Sequence, residues 1–356
     1  MNRWASWAWV AFLFSIPLWM EDQYFLHILI TAGIFTIAAM SLNLLLGYTG
    51  QLSLGHVAFF GIGAYTSALV SLGFDLELTA TYTFVFAPRP VWLAFVAGIV
   101  VAGASGWLIG KISFKVRGAY FVIVTISFAE VVRLVALNWV DLTEGPMALN
   151  NIPPFALAVP GLWELEFYRK LPNYYLVLVV AIACYVILRR LVHSRVGRAM
   201  IALRENEPLA ASAGVDVTRY LVLAAVVSAG MAGAAGSLYT HYVRIVDPDV
   251  FLFIYTVTMV IMVVTGGKGT LAGPVVGGLI FGILPEVLRE FASPEAQWII
   301  YGVFMIAIVF FLPDGIVPAL SAWWRGRFGA APSAGGPGAG LSGLEPVAPR
   351  SARKGT

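Results

Sequence analysis

The chain has 356 residues, of which 60% are hydrophobic and 12% charged, with a mean hydropathy of +0.85. That balance excludes a soluble core, because many apolar runs are long enough to cross a hydrocarbon layer of about 30 Å as helices. The formal charge of +3 is dispersed rather than gathered in a nucleic-acid-like patch, the single Cys184 excludes a disulfide framework, and no Cys/His cluster has zinc spacing.

Apolar runs of about 17 to 23 residues predict ten transmembrane helices, at 4–20, 24–46, 54–72, 91–110, 119–139, 173–189, 220–243, 251–265, 271–288 and 296–313. The fold class is therefore an all-α polytopic integral membrane protein. The first run follows Arg3 as a signal peptide would, but no A-x-A-like site comes after it, so it is taken as an uncleaved span. With the N-terminus in the cytoplasm, sixteen of the twenty-two Lys/Arg fall on the cytoplasmic side and five outside. The positive-inside rule then places both termini in the cytoplasm of a multi-pass inner (plasma) membrane protein. Two external segments, 73–90 and 140–172, are rich in Pro, aromatics and acids and are expected to form an outer cap. Residues 1–318 make the transmembrane domain. Residues 319–356 are expected to be a disordered cytoplasmic tail, since from Gly329 they are rich in Gly, Pro, Ala and Ser.

In chain order, the first unusual stretch is "GYTGQLSLGH", between the second and third spans. Glycines and polar groups at membrane depth are tolerated where a helix breaks and lines a cavity, which makes Gly50, Gln51, Ser53 and His56 candidates for the substrate pathway. A tight cytoplasmic turn is the other reading. Ser53 and His56 share a helix face, but no acid completes a triad. "FFGIGAY", from Phe59 to Tyr65, puts small residues on a helix face suited to close packing. Glu130 and Arg133 lie three apart within the fifth span. Intramembrane charges are candidates for the pathway, and the competing reading is a structural ion pair.

"SRVGRAMIALRENEPLAASAG", Ser194–Gly214, is the one long polar and basic interruption. As a helix from Ser194 to Arg204 it would measure about 16 Å, with Val196, Met200 and Leu203 on one stripe and Arg195 and Arg198 on another. A second short helix is predicted to start at Pro208 and stop at Gly214. Two readings stand side by side, a lipid-lying connector and a protein-docking knob. Farther on, "VTGGKGTLAGP" invites a phosphate-cradle reading but fails the Walker spacing, since Gly269 follows Lys268 where a Ser or Thr is required. His27, His56, His193 and His241 are scattered, so no metal site, cofactor or catalytic residue is predicted.

The loop from residue 190 to 219 resembles the cytoplasmic coupling loop of ABC importer permeases, with "ENEPLAASAG" in place of the strict Glu-Ala-Ala-x-x-x-Gly form. "SLNLLLGYTGQLSLGHVAFFGIGAYTSALV", "RGAYFVIVTISFAEVVRLVALNW", "SRVGRAMIALRENEPLAASAGVDV" and "VVTGGKGTLAGPVVGG", in this order, are similar to the branched-chain amino acid permease family of LivM type. The likeness covers roughly residues 25 to 315. It implies ABC importer permease architecture, a homologous second permease, two ATP-hydrolysing subunits, a soluble binding protein and membrane lipid as partners, and no ATP site of its own. The coupling positions it implies are Arg195, Gly197, Arg198, Met200, Leu203, Glu205, Pro208 and Gly214, with Met200 and Leu203 expected to anchor in the ATPase. A urea or short-amide permease is the alternative within the class, and a cation-coupled secondary transporter the rival outside it.

Overall fold

The computed structural model describes residues 15, 17, 22–79, 82–116, 118–159, 163–289 and 293–328. The predicted first span and the tail from Gly329 lie outside them, apart from Ser15 and Pro17. Two units are distinguished, Met1–Ala319 and Leu320–Thr356; the described part of the second continues the last helix and presents Leu320, Trp323 and Trp324 outward.

Nine predicted spans coincide with helices among the described residues. These are α1 (Gln23–Asn43), α2 (Val57–Leu72), α3 (Val91–Ser113), α4 (Ala119–Asn138), α6 (Lys170–Val192), α9 (Val217–Val243), α10 (Phe253–Gly266), α11 (Gly273–Arg289) and α12 (Pro294–Phe311). Between them come a single turn α5 (Val140–Thr143), the two knob helices α7 (Arg195–Glu205) and α8 (Glu207–Ser212), and the final α13 (Ile316–Phe328). Gln23–Thr49, α3, α4, α6 and α9 are each long and apolar enough to cross a membrane.

Helix α1 starts where Asp22 accepts a hydrogen bond from the Tyr24 amide at 2.8 Å, an N-cap that satisfies one of the free first-turn donors. It is apolar on every side, and Ile30, Ile34, Ile37, Met40 and Leu42 are all fully buried. A helix hydrophobic all round belongs in the middle of a bundle, and α1 packs against α6, α9, α10 and α11.

Helices α2, α3 and α9 pack closely through small residues. A methyl group at Gly63 would strike the backbone of Gly233, and one at Gly98 would lie 2.8 Å from the Gly63 carbonyl. This is the packing role expected for "FFGIGAY". With no hydrophobic drive between helices in lipid, close van der Waals approach replaces it.

The two segments expected to form an outer cap each contain a short hairpin. In the 73–90 segment β1 (Phe74–Thr79) pairs antiparallel with β2 (Tyr82–Phe86), with Phe74 opposite Phe86 and Leu76 opposite Phe84. In the 140–172 segment β3 (Ala156–Val159) pairs with β4 (Trp163–Glu166), Ala156 opposite Glu166. The alternation in "FDLELT" and "YTFVF" favours a pleated pair, and a closed hairpin satisfies backbone groups that an open loop would leave to solvent.

Candidate functional site

The break between α1 and α2 is a re-entrant segment. The last turn of α1 widens into a π-helix over Leu44–Thr49, and Gly50, at φ 74°, ends it in the left-handed region where a side chain is strained. The chain then runs without helical structure to a turn at residues 54–56 that leads into α2, and Ser53, Gly55 and His56 are buried while Gln51 is half-exposed. Non-helical backbone at this depth needs partners. The Leu54 amide donates to Thr125 Oγ1 of α4 at 3.2 Å and the Val57 amide to Thr256 Oγ1 of α10 at 3.1 Å.

His56 is fixed by a hydroxyl chain. Ser41 Oγ donates to the Ala38 carbonyl at 2.6 Å, so it accepts from His56 Nε2 at 2.7 Å. That leaves Nδ1 as the bare nitrogen, buried and without a hydrogen-bond partner. The Ser41 carbonyl in turn accepts from Ser228 Oγ of α9 at 2.6 Å. His56 is therefore tied to α1 and, through Ser41, to α9.

At the same end of the bundle stands the two-helix knob. Ser194 caps α7 by accepting from the Val196 and Gly197 amides at 3.1 and 3.4 Å, and Asn206 caps α8 by accepting from Leu209 at 3.0 Å. Gly197 lies against the carbonyls that end α6, where a Cβ would collide with Val192 O. Gly214, at φ 87°, terminates the knob as its position suggested.

The apolar stripe of α7 corrects one expectation. Met200 is 0% exposed and Leu203 4%, with Leu203 in a cluster with Ala210 and Leu221. These side chains hold the knob to its own bundle and cannot serve as free anchors for another protein. The outward face carries Arg195, Arg198, Glu205 and Pro208, and beside them Leu209, 65% exposed, which the sequence reading passed over.

The Gly-rich loop between α10 and α11 also converges here. Asn43, fully buried, accepts from the Gly269 amide and donates to the Thr270 carbonyl, both at 2.9 Å. Arg204 Nη1 of α7 donates to the Gly47 carbonyl at 2.6 Å. Three stretches far apart in sequence thus share one junction, with Lys268 exposed at its edge.

Glu130 and Arg133 sit farther along α4, away from this junction. Arg133 Nη1 donates to Glu130 Oε1 at 2.9 Å, and Nη2 lies 4.0 Å from Asp249 Oδ1 at the opposite end of the bundle. Glu130 points away from the bundle together with Ser127 and Asn138 on the same helix. That end has a polar chain of its own: Ser237 Oγ donates to Ser67 Oγ at 2.6 Å, Ser67 meets His241 Nε2 at 2.8 Å, and His241 Nδ1 donates to the Pro153 carbonyl at 2.8 Å. A hydroxyl or imidazole inside an otherwise apolar helix was the signal for these residues.

An apolar groove of about 680 Å³ lies between α3, α6 and α9, lined by Ile99, Trp107, Cys184 and Met231 among others. It touches neither the junction nor the α4 charges. Among the described residues no three His, Cys, Asp or Glu side chains gather as a metal-binding group.

Comparison with known proteins follows the same residues. The family described as "Branched-chain amino acid transport system / permease component" matches residues 24–309. The chain is 29% identical over 308 residues to the high-affinity branched-chain amino acid transport system permease protein LivM of Salmonella typhimurium, covering 80% of this chain and 68% of that one. It is 28% identical to LivM of Escherichia coli K12, covering 84% and 71%, and 27% identical to LivH of that organism, covering 80% and 91%. No solved structure matches. The re-entrant break, the knob and the Gly-rich loop all fall inside the matched region, and the chain belongs to the branched-chain amino acid permease family of ABC transporters, LivM type.

Proposed function

We propose that this chain is the membrane-spanning subunit of an ATP-driven importer for branched-chain amino acids, and that partner subunits hydrolyse the ATP. The observation that carries the reading is the knob α7–α8, fastened to the bundle by Met200 and Leu203 and presenting Arg195, Arg198 and Leu209 outward. A lipid-lying connector would turn its apolar stripe to the membrane, whereas here the stripe is occupied by the bundle. The outward face has the composition of an interface, one exposed aliphatic side chain rimmed by charges.

Positive-inside asymmetry puts the knob, the Gly50 turn and the Gly-rich loop in the cytoplasm. The outward face of α4, with Ser127 and Glu130, is the candidate wall of the substrate path. Ionisable groups within a membrane face protein or water rather than lipid, so this face looks toward a second, homologous permease across a shared path. A soluble binding protein delivers substrate to the outer end, and two ATP-binding subunits dock on the knobs of the permease pair. The relatives' names supply the substrate class, and the transport cycle is an exchange between outward- and inward-open states biased by nucleotide.

The test is uptake by the complex reconstituted with its partners in vesicles. ATP-dependent accumulation of labelled leucine, absent without the binding protein, is the expected result. Accumulation of urea in preference to leucine would overturn the substrate, and leucine uptake driven by an ion gradient without ATP would overturn the class.

A further inference from the structure

We propose that Arg204 is the coupling residue that transmits motion of the knob to the re-entrant segment, a role that rests on the importer reading above. The geometry begins with the π-turn. In a regular α-helix the Gly47 carbonyl would accept from the amide four residues on, that of Gln51. Here the Gln51 amide donates to the Leu45 carbonyl at 3.1 Å. The Gly47 carbonyl is released, and the Arg204 guanidinium takes it at 2.6 Å.

Arg204 is held from its other side as well. Its Nε and Nη2 donate to Glu205 Oε1 at 3.0 and 2.5 Å, which orients the planar group with Nη1 toward Gly47. On the sides facing Gly50 and Gly269 the packing is tight. A methyl at Gly50 would stand 3.1 Å from Arg204 Cγ, and one at Gly269 would stand 2.6 Å from Nη1 and 2.8 Å from the Gly47 carbonyl. Gly269 is itself pinned by Asn43, four residues before Gly47 on the same helix.

One side chain of the knob therefore grips the widened turn and abuts the Gly-rich loop. Because Met200 and Leu203 seat the rest of α7 in the bundle through apolar contacts that tolerate sliding, the directional contact is the one at Arg204. A charge-assisted hydrogen bond is about twice as strong as a neutral one. When docked subunits displace the knob, Arg204 draws on Gly47, and residues 50–56 follow because Gly50 is the next link. Without it, knob motion dissipates before reaching His56 and the α4 contact at Thr125.

The variants are Arg204→Met, which keeps the stem and removes the donors, and Arg204→Lys, which keeps the charge with a single-point grip. In the full reconstituted complex, three quantities are read: retention of the ATPase subunits, hydrolysis, and leucine taken up per ATP. Arg204→Met is expected to retain the subunits and hydrolyse ATP at a near-parental rate while uptake per ATP falls about tenfold, the order expected from losing a charged hydrogen bond. Arg204→Lys is expected to lie between. Unchanged uptake per ATP in Arg204→Met, or equal loss of hydrolysis and uptake in both variants, would overturn the proposal. A second measurement is independent of turnover. In a Cys184→Ala background, nucleotide should change the labelling rate of Gln51→Cys by an impermeant thiol reagent in the parent and leave it unchanged beside Arg204→Met. An equal nucleotide response in both would also overturn it. A parent complex that does not import leucine at all would instead refute the importer reading.

Discussion

Asn43 Oδ1 accepts a hydrogen bond from the Gly269 amide 2.9 Å away, so a side chain near the end of α1 fixes the backbone of a loop more than two hundred residues later. Its Nδ2 completes the hold on Thr270. The Asn43 side chain is fully buried and the two loop residues are half-buried, which makes the pairing costly to disturb.

Asn43→Leu is expected to leave the half-buried Gly269 N–H and Thr270 carbonyl without their partner and to cost about 1 to 3 kcal/mol. Asn43→Asp keeps the acceptor but buries a carboxyl group whose second oxygen faces the Thr270 carbonyl, and should cost at least as much. Thermal unfolding in detergent, followed by tryptophan fluorescence, checks the order of the three proteins. Equal stability of Asn43→Leu and the parent would mean that the loop is held elsewhere.

Leu209 and Met200 should respond in opposite ways to the same change. Leu209→Asp is expected to leave the permease folded and to weaken ATPase subunit binding by about 1 to 2 kcal/mol, as for an interface anchor. Met200→Asp buries a carboxylate in the core and should instead reduce folded permease, by about 3 kcal/mol or more. Size-exclusion of the purified permease followed by a pull-down with the ATPase separates the two. The idea is sunk if Leu209→Asp binds as the parent does.

His241 ties the Asn150–Phe155 stretch to α2 and α9 through Pro153 and Ser67. His241→Leu removes the donor to the Pro153 carbonyl and should free that stretch by about 1 to 3 kcal/mol. Faster amide exchange confined to residues 149–155 is the expected observation. Exchange that rises evenly over the bundle would point to general destabilisation.

Arg133 neutralises Glu130 and approaches Asp249. Arg133→Gln leaves Glu130 unpaired on an exposed face, so its effect should be partly recovered by Glu130→Gln in the same chain. The coupling read from the double-mutant cycle is expected to be about 1 kcal/mol or less, since Glu130 lies exposed on the outer face of α4. The check is folded yield of all four proteins under one set of conditions, and strict additivity would remove the pair from the argument.

Much of this was legible in the sequence, and for one reason: a span in lipid must be long and apolar, so its position follows from a count. The break at Gly50 and the stop at Gly214 were legible because glycine marks the left-handed turn at both places. What the residues could not convey was partnership across distance. The stripe Val196, Met200, Leu203 correctly announces a buried face, but periodicity carries no information about what covers it, and the cover proved to be the chain itself. Leu209 was missed because a lone Leu beside two alanines makes no stripe. The hold of Asn43 on Gly269, and of Arg204 on Gly47, joins stretches with no shared pattern at all. The hairpins were legible in principle, since their strands alternate, and were hidden by the Pro-rich segments around them.

The central place of α1 bears on how the protein is made. It leaves the ribosome before α6, α9, α10 and α11, the helices that enclose it. In the two-stage view of helix insertion followed by association, α1 must first reside in lipid as an isolated span. Its even hydrophobicity suits that interim state, and Thr36 and Ser41 find carbonyls within α1 itself, but Asn43, fully buried at the end, begins without the partners that the α10–α11 loop later brings. Biogenesis is thus complete only when the C-terminal third arrives, and a chain stalled before α10 would carry Asn43 into the membrane unclaimed, where membrane quality control recognises unpaired polar groups.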